Sequence, residues 1–597
     1  MAKKFIDIMD TTFRDGFQSV FGGRVLMDDF FPAVEAAKTA GITHYEFGGG
    51  ARFQSLYFYL REDAFEMMDK FRKIVGPDAN LQTLARGVNT VMLDTGSKDL
   101  IDLHAKMFKK HGATTIRNFD ALNDVENLKY SAERITHHGL KHEVVVTMMD
   151  LPPGCHGAHT VEFYEKTLRE ILDSGIPYTS VCFKDASGTS NPQKVFETIT
   201  MARKLLPDDT HIRLHTHETA GVSVAAYMAA LEAGIDGIDL AAAPVSGGTS
   251  QPDMLTMLHA TKGMNFDLGG LEIGKILTYE KELQSCLEDY FMPPEATMVS
   301  PIIPFSPMPG GALTANTQMM RDNGIMDKFP EVIAAMQEVV EKGGYGTSVT
   351  PVSQFYFQQA LNNVMQGPWN AIAPGYGRMV LGYFGKTPVA PDPEIVKIAS
   401  EKLGLEPTTE KALDLAEADP AKSLESWINV LKEEGLEITE ENIFIAAACQ
   451  EKGITFLKGE GELNVRKKSQ MKQDCKEGNK EMSGNYTVVV DGQKFSVQVA
   501  EGSGDIQVVA VEGESVAASK PAPVAGEGEP IKALLPGNVW KIVANPGQSV
   551  NEGDVILILE SMKMEIDVVA PRGGVIKSIN VATNDKVVEG QVVAVLG

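Results

Sequence analysis

The sequence predicts an α/β protein: a (β/α)8 (TIM) barrel with a C-terminal helical extension, followed by a small all-β domain. Three observations lead there. From Phe5 to Leu240, short β-type runs alternate eight times with amphipathic helical runs, the count and the chain length of a closed parallel barrel. Beyond Pro301 the pattern is helix and loop. The last stretch, from residue 530, repeats itself on either side of one lysine.

Taken in order, the expected strands are Phe5–Met9, His44–Phe47, Leu81–Leu84, Thr115–Phe119, Glu143–Met149, Tyr178–Phe183, Ile212–Leu214 and Gly237–Leu240. Helices are expected between them at Asp28–Ala40, Asp63–Val75, Ser97–His111, Glu126–His138, Val161–Ser174, Pro192–Leu206 and Gly221–Ala233, several opened by an Asp, Ser or Asn cap. The barrel is assigned to 1–300 and the extension, whose helices and loops cover its open face, to 301–465. Within the extension the run Glu441–Cys449 is an apolar core helix, which makes Cys449 a buried thiol. A linker (466–483), a small β-unit (484–514), an Ala/Pro/Gly linker (515–529) and the terminal β-domain (530–597) follow.

Chemistry in this fold gathers at the C-terminal ends of the strands. The chain is polar there: Arg14, Asp15 and Gln18 follow strand 1, Arg86 follows strand 3, and Lys184 and Asp185 follow strand 6. His215 and His217 are two apart on strand 7, so both side chains leave the same face. With Asp15 they could hold a divalent metal, although a His-x-His pair can also be packed or hydrogen-bonded. Lys184 is the odd member. A cationic amine beside a metal is repelled, but one carbamylated by CO2 becomes an anionic ligand.

In the terminal domain, Gly537–Val543 with Val550–Val555 recurs as Gly574–Ile579 with Val587–Val592. Lys563 lies between the halves in Glu560-Ser561-Met562-Lys563-Met564-Glu565, at the tip of an expected hairpin. An ordinary surface lysine is the plainer alternative. The domain resembles the biotinyl (biotin carboxyl carrier) domain, which implies biotin amide-linked to Lys563. Ser561 replaces the alanine of that family's Ala-Met-Lys-Met motif.

The barrel's motifs resemble a family too. Asp-Thr-Thr-Phe-Arg-Asp-x-x-Gln at 10–18, Phe-Asp-Ala-Leu-Asn-Asp at 119–124, Lys-Asp-x-x-Gly at 184–188, His-Thr-His at 215–217 and Ser-Gly-Gly-Thr-Ser-Gln-Pro at 246–252 look like the carboxyltransferase domain of biotin-dependent enzymes. That group includes pyruvate carboxylase, the α subunit of oxaloacetate decarboxylase and the transcarboxylase 5S subunit. Met308–Gly311 and Val349–Pro351 match its helical segment. The resemblance implies that Asp15, His215, His217 and carbamylated Lys184 hold a metal (Zn, Mn, Co or Mg). Arg14, Gln18 and Arg86 would orient an oxoacid, and Thr350 would pass a proton. The implied reaction moves CO2 from carboxybiotin to pyruvate, giving oxaloacetate. Alternatives are 2-oxoglutarate as acceptor, a sodium-pumping oxaloacetate decarboxylase with a membrane partner, and a non-catalytic carrier or scaffold. No ATP-grasp segment is recognisable, so a separate ATP-dependent biotin carboxylase subunit is expected, with a biotin protein ligase to load Lys563 and a homo-oligomeric assembly.

The chain also departs from the family. Gly48 replaces a tryptophan, Arg52 a threonine, Gln54 an acid and Leu93 a tyrosine. Arg52 reads either as a contact for the distal carboxylate of 2-oxoglutarate or as a surface arginine on a loop. Composition narrows the rest. A net charge of −25 repels nucleic acid and anionic membrane. Five cysteines without CxxC spacing, no apolar run of membrane-spanning length and no signal-peptide h-region at the start point to the cytoplasm.

Overall fold

The computed structural model describes residues 3–461, 463–470, 484–490, 493–499, 528–533, 537–561, 564–583, 585–587 and 590–597. The chain divides into two units, 1–468 and 469–597, apart from a short crossing at 322–324.

In the first unit the strands are β1 (Lys4–Asp10), β2 (His44–Glu46), β3 (Asn80–Ala85), β4 (Thr115–Asn118), β5 (Lys141–Thr147), β6 (Ser180–Asp185), β7 (His211–Thr216) and β8 (Gly237–Leu240). All are parallel and follow chain order. The ring closes where β1 pairs with both β8 (Asp7↔Gly237 through Asp10↔Leu240) and β2 (Asp10↔Tyr45). This is the predicted barrel. The pattern missed a short ninth strand, β9 (Phe266–Leu268), which adds to the start of β1. Three residues are too few to show a period.

The barrel's outer helices form where predicted and for the predicted reasons. Asp63 accepts from Phe65 N (2.8 Å), Ser97 Oγ from Leu100 N (3.4 Å) and Asn191 Oδ1 from Lys194 N (3.0 Å), meeting donors that a first turn leaves free. The helix Ala64–Val75 buries Phe65, Met67, Met68, Phe71 and Val75 along one face, the apolar stripe a barrel helix needs. The helix Glu440–Leu457 lays Phe444 against Phe53 and Phe108, and Cys449 is buried with it. The run from Arg466, read as linker, stays on this unit through Lys468: Phe291 N donates to Arg466 O, and Lys467 pairs with Asp29 at 2.7 Å.

The second unit holds a hairpin, β10 (Gly484–Val490) with β11 (Gln493–Val499), and two four-stranded sheets. One sheet has β12 (Glu529–Lys532), β19 (Val592–Leu596), β17 (Gly574–Ile579) and β14 (Ser549–Val550). The other has β16 (Met564–Val569), β15 (Val555–Ser561), β13 (Gly537–Ile542) and β18 (Lys586–Val587). The internal repeat explains this order. Each half lends its short strand to the other half's sheet, β14 to β17 and β18 to β13. Val539, Leu557, Leu559, Ile576, Val593 and Leu596 are buried. β15 ends at Ser561 and β16 starts at Met564. Lys563, Cys475 and residues 515–527 of the Ala/Pro/Gly linker lie outside the described residues, while Glu529, assigned to the linker's end, begins β12.

Candidate active site

The carboxyl ends of the strands place the metal-type residues together. Asp15 lies on a wide helical turn, Thr12–Gly16, that begins as β1 ends, where Asp10 accepts from Thr12 N at 2.9 Å. His215 is on β7 and His217 just beyond it. Their Nε2 atoms are 3.1 Å apart, and Asp15 Oδ2 stands 3.2 Å from one and 3.4 Å from the other. Each ring is anchored through its far nitrogen, His215 Nδ1 on Asp239 Oδ2 (2.8 Å) and His217 Nδ1 on the Thr249 carbonyl (2.7 Å). Both Nε2 lone pairs are thereby aimed at one point beside a carboxylate, an arrangement that fits a divalent cation. Gln251 Nε2 donates into the same spot, 3.1 Å from Asp15 Oδ2 and 3.0 Å from His217 Nε2.

Electrostatics agree with that fit. Burial alone would raise the Asp15 carboxyl; the Arg14 guanidinium and the imidazoles hold it well below the usual carboxylate range. Burial, with Lys184 nearby, pushes His215 down and favours the neutral ring that can ligate. Lys184, at the end of β6, is 4 % exposed, and among the described residues no carboxylate lies within ion-pair distance of its amine. Burial lowers its affinity for a proton. A deprotonated amine is the form that reacts with CO2.

One cavity gathers Arg14, Asp15, Gln18, Arg86, Lys184, His217 and Thr350, with Leu84, Phe119, Pro309 and Val349 among its walls. Pro309, Gly311, Ala312, Val349 and Thr350 come from the extension, which therefore completes the cavity over the barrel. His215 sits behind this surface, fully buried. Arg14 is already neutralised, bonding Glu46 at 2.5 Å and lying 3.3 Å from Asp15, and its Nη1 also reaches Gln18 Oε1 at 3.3 Å. Arg86 is different. Its Nη1 donates to the Val91 and Met92 carbonyls (2.6 and 3.2 Å), and the Nε–Nη2 edge has no partner among the described residues. Burial, with Arg14 nearby, pushes Arg86 down to about 9, still cationic at neutral pH. A buried guanidinium with a free two-donor edge fits a planar carboxylate.

Arg52 fits neither reading made from the sequence. It lies on the helix Gly50–Ser55 with 0 % exposure and does not line the cavity. Its Nη1 donates to Gly23 O and its Nη2 to Val25 O (2.7 Å), and the guanidinium stands over the Phe17 and Phe30 rings. It braces the backbone after the β1 turn. Sequence reasoning missed Asp239, Glu46 and Gln251, which hold the site residues in place.

The comparisons with known proteins agree with this architecture. Residues 303–499 match the family model described as conserved carboxylase domain, 166–262 the HMGL-like model and 527–596 the biotin-requiring enzyme model. The chain is 30 % identical to the methylmalonyl-CoA carboxyltransferase 5S subunit of Propionibacterium freudenreichii, over 69 % of this chain and 79 % of that one. The chain belongs to the biotin-dependent carboxyltransferase family. Within that family it is also 29 % identical to a pyruvate carboxylase subunit of Methanocaldococcus jannaschii, over 94 % of both chains. It is 27 % identical to the 2-oxoglutarate carboxylase large subunit of Hydrogenobacter thermophilus, over 95 % of this chain and 91 % of that one. The carboxyl transferase domain of Rhizobium etli pyruvate carboxylase shares the fold, with a TM-score of 0.69 at 24 % identity over 77 % of this chain and 78 % of that one. The protein is thus an enzyme that pairs a carboxyltransferase domain with a biotinyl domain. Among the described residues no helix is long and apolar enough to cross a membrane.

Proposed function

We propose that this chain is the carboxyltransferase and biotin-carrier subunit of a split biotin-dependent carboxylase, with pyruvate as acceptor and oxaloacetate as product. The observation that carries this reading is the free edge of Arg86. Of the cations lining the cavity, Arg14 is paired with Glu46 and Asp15, and Lys184 is assigned to the metal-type group. One unpaired guanidinium matches a substrate with one carboxylate.

In this reading Lys563 carries biotin, and Asp15, His215, His217 and carbamylated Lys184 would hold a divalent ion (Zn, Mn, Co or Mg). When bound, biotin supplies a transferable carboxyl group, and the metal supplies positive charge beside the carbonyl oxygen. The chain's own residues do the rest. Arg86 grips the oxoacid carboxylate through two parallel hydrogen bonds. Arg14 and Gln18 orient the ketone and stabilise the charge that develops on its oxygen as the methyl proton leaves. The Thr350 hydroxyl both donates and accepts, so its Oγ1 can take that proton while passing its own to biotin, which would accept it once its carboxyl group has left. Leu84, Phe119 and Val349 keep water from the reacting carbon.

The subunit names of the archaeal and Hydrogenobacter relatives support a separate ATP-dependent biotin carboxylase chain as partner. A biotin protein ligase would modify Lys563, and a homo-oligomer is expected. The domain limits proposed are 1–300, 301–465, 466–483, 484–514, 515–529 and 530–597. The Hydrogenobacter likeness also supports a second reading, 2-oxoglutarate as acceptor. The deciding experiment needs no partner. The purified chain is incubated with oxaloacetate or oxalosuccinate and free biotin, without ATP, and the decarboxylated oxoacid is followed. Turnover of oxaloacetate is expected; preference for oxalosuccinate would overturn pyruvate.

A further inference from the structure

Beneath the metal-type group, buried charge fills the barrel's lumen, and the reaction as proposed does not use it. Arg117 on β4, Glu143 on β5, Arg213 on β7 and Asp239 on β8 are almost wholly buried. Arg117 Nε donates to Glu143 Oε1 at 2.5 Å, and its Nη1 to Asp239 Oδ2 at 2.6 Å. Arg213 Nη1 donates to Asp239 Oδ1 at 3.0 Å, and Arg213 also pairs with Asp7. Three carboxylates therefore meet two guanidinia, and Asp239 is the one that reaches His215.

His215 Nδ1 faces two of these groups, and they make opposite demands. Asp239 Oδ2 is 2.8 Å away and can only accept; Arg117 Nη1 is 3.3 Å away and can only donate. The shorter, charge-assisted contact decides. The proton sits on Nδ1, and the Nε2 lone pair is left for a metal.

We propose that Asp239 is a positioning residue of the metal centre, fixing His215 in the tautomer that ligates and taking up the Arg117 donor that also reaches its ring nitrogen. This rests on the metal reading above and adds to it the group that sets one ligand's tautomer and orientation. Replacing the carboxylate by an amide removes the negative charge and one of the two acceptor oxygens that His215, Arg117 and Arg213 share, so the proton is no longer enforced on Nδ1 and the Nε2 lone pair is no longer guaranteed. His217 is anchored by a backbone carbonyl, so its contribution survives.

The test uses the full chain, stripped of metal and titrated with Zn2+ against a fluorescent chelator, as wild type and as Asp239→Asn. The stripped forms are melted in parallel. The variant's Zn2+ dissociation constant is expected to rise about 10- to 100-fold, the usual effect of losing such an outer partner. An Asp239 that served only as a core ion would lower the melting temperature and leave Zn2+ affinity unchanged, which overturns the proposal alone. A wild type that binds no Zn2+ overturns the metal reading together with it. A second measurement does not depend on the variant's folding: 15N-histidine-labelled wild type loaded with 113Cd2+ should show coupling to His215 Nε2. Coupling to its Nδ1 would overturn the proposal.

Discussion

Arg86→Lys isolates the clamp that carries the functional reading. Lysine keeps the charge and the length but loses the fork, so one of the two hydrogen bonds to the oxoacid carboxylate disappears. Arg86 is 3 % exposed and its Nε is buried without a partner, so each bond has the strength of a hydrogen bond to a charged group, about 1.5–3 kcal/mol. Losing one lowers kcat/KM by roughly 10- to 150-fold at 1.4 kcal/mol per tenfold. The assay is the free-biotin-dependent decarboxylation of oxaloacetate, run beside a thermal melt because Nη1 also ties down the Val91 and Met92 carbonyls. A variant with wild-type melting temperature and wild-type kcat/KM would refute the clamp.

Other expectations follow from the same geometry. Lys563→Arg should abolish biotin incorporation on a streptavidin blot while leaving the barrel's activity with free biotin intact. Arg52→Met fills the same space but leaves the Val25 carbonyl unpaired, at about 1–3 kcal/mol, and the Gly23 carbonyl held by Ser55 alone; chemical denaturation should report that loss, with the preference for oxaloacetate over oxalosuccinate unchanged. Burial, with Asp124 nearby, pushes the Asp120 carboxyl up to about 7 from an ordinary 3.8. The native state therefore holds a proton that the unfolded chain has released. The associated stability is complete below pH 3.8 and is lost as pH rises to about 7, on the order of 4 kcal/mol in all. Asp120→Asn should flatten the fall in denaturation midpoint between pH 5 and 7.

Much of this was legible in the sequence because the barrel repeats a local rule eight times. Short β-type runs gave the strands to within a few residues, and caps such as Asp63 and Ser97 gave helix starts, since both depend on near neighbours. His215 and His217 could be paired for the same reason. Asp239 could not: in Gly237–Leu240 it reads as a polar break in a short strand, and its partners on β4 and β7 reach it only once the ring closes. A hint was present in Arg117, Glu143, Arg213 and Asp239, one charge in each of four otherwise strand-like runs. Arg52 was misread because its partners are main-chain carbonyls, which carry no mark in a sequence.

The pairing of β1 with β8, β2 and β9 has a consequence for how the protein is made. Of the barrel strands β1 is synthesised first, and it finds its neighbours β8 and β9 only after nearly the whole barrel has been made. Until then the nascent sheet has two open edges, bare of the hydrogen-bond partners that later seal them. Closure over so long a loop is slow and leaves apolar surface exposed to other chains. Production of this enzyme should therefore be limited by chaperone capacity and by translation rate through the β8–β9 region more than by the stability of the finished barrel.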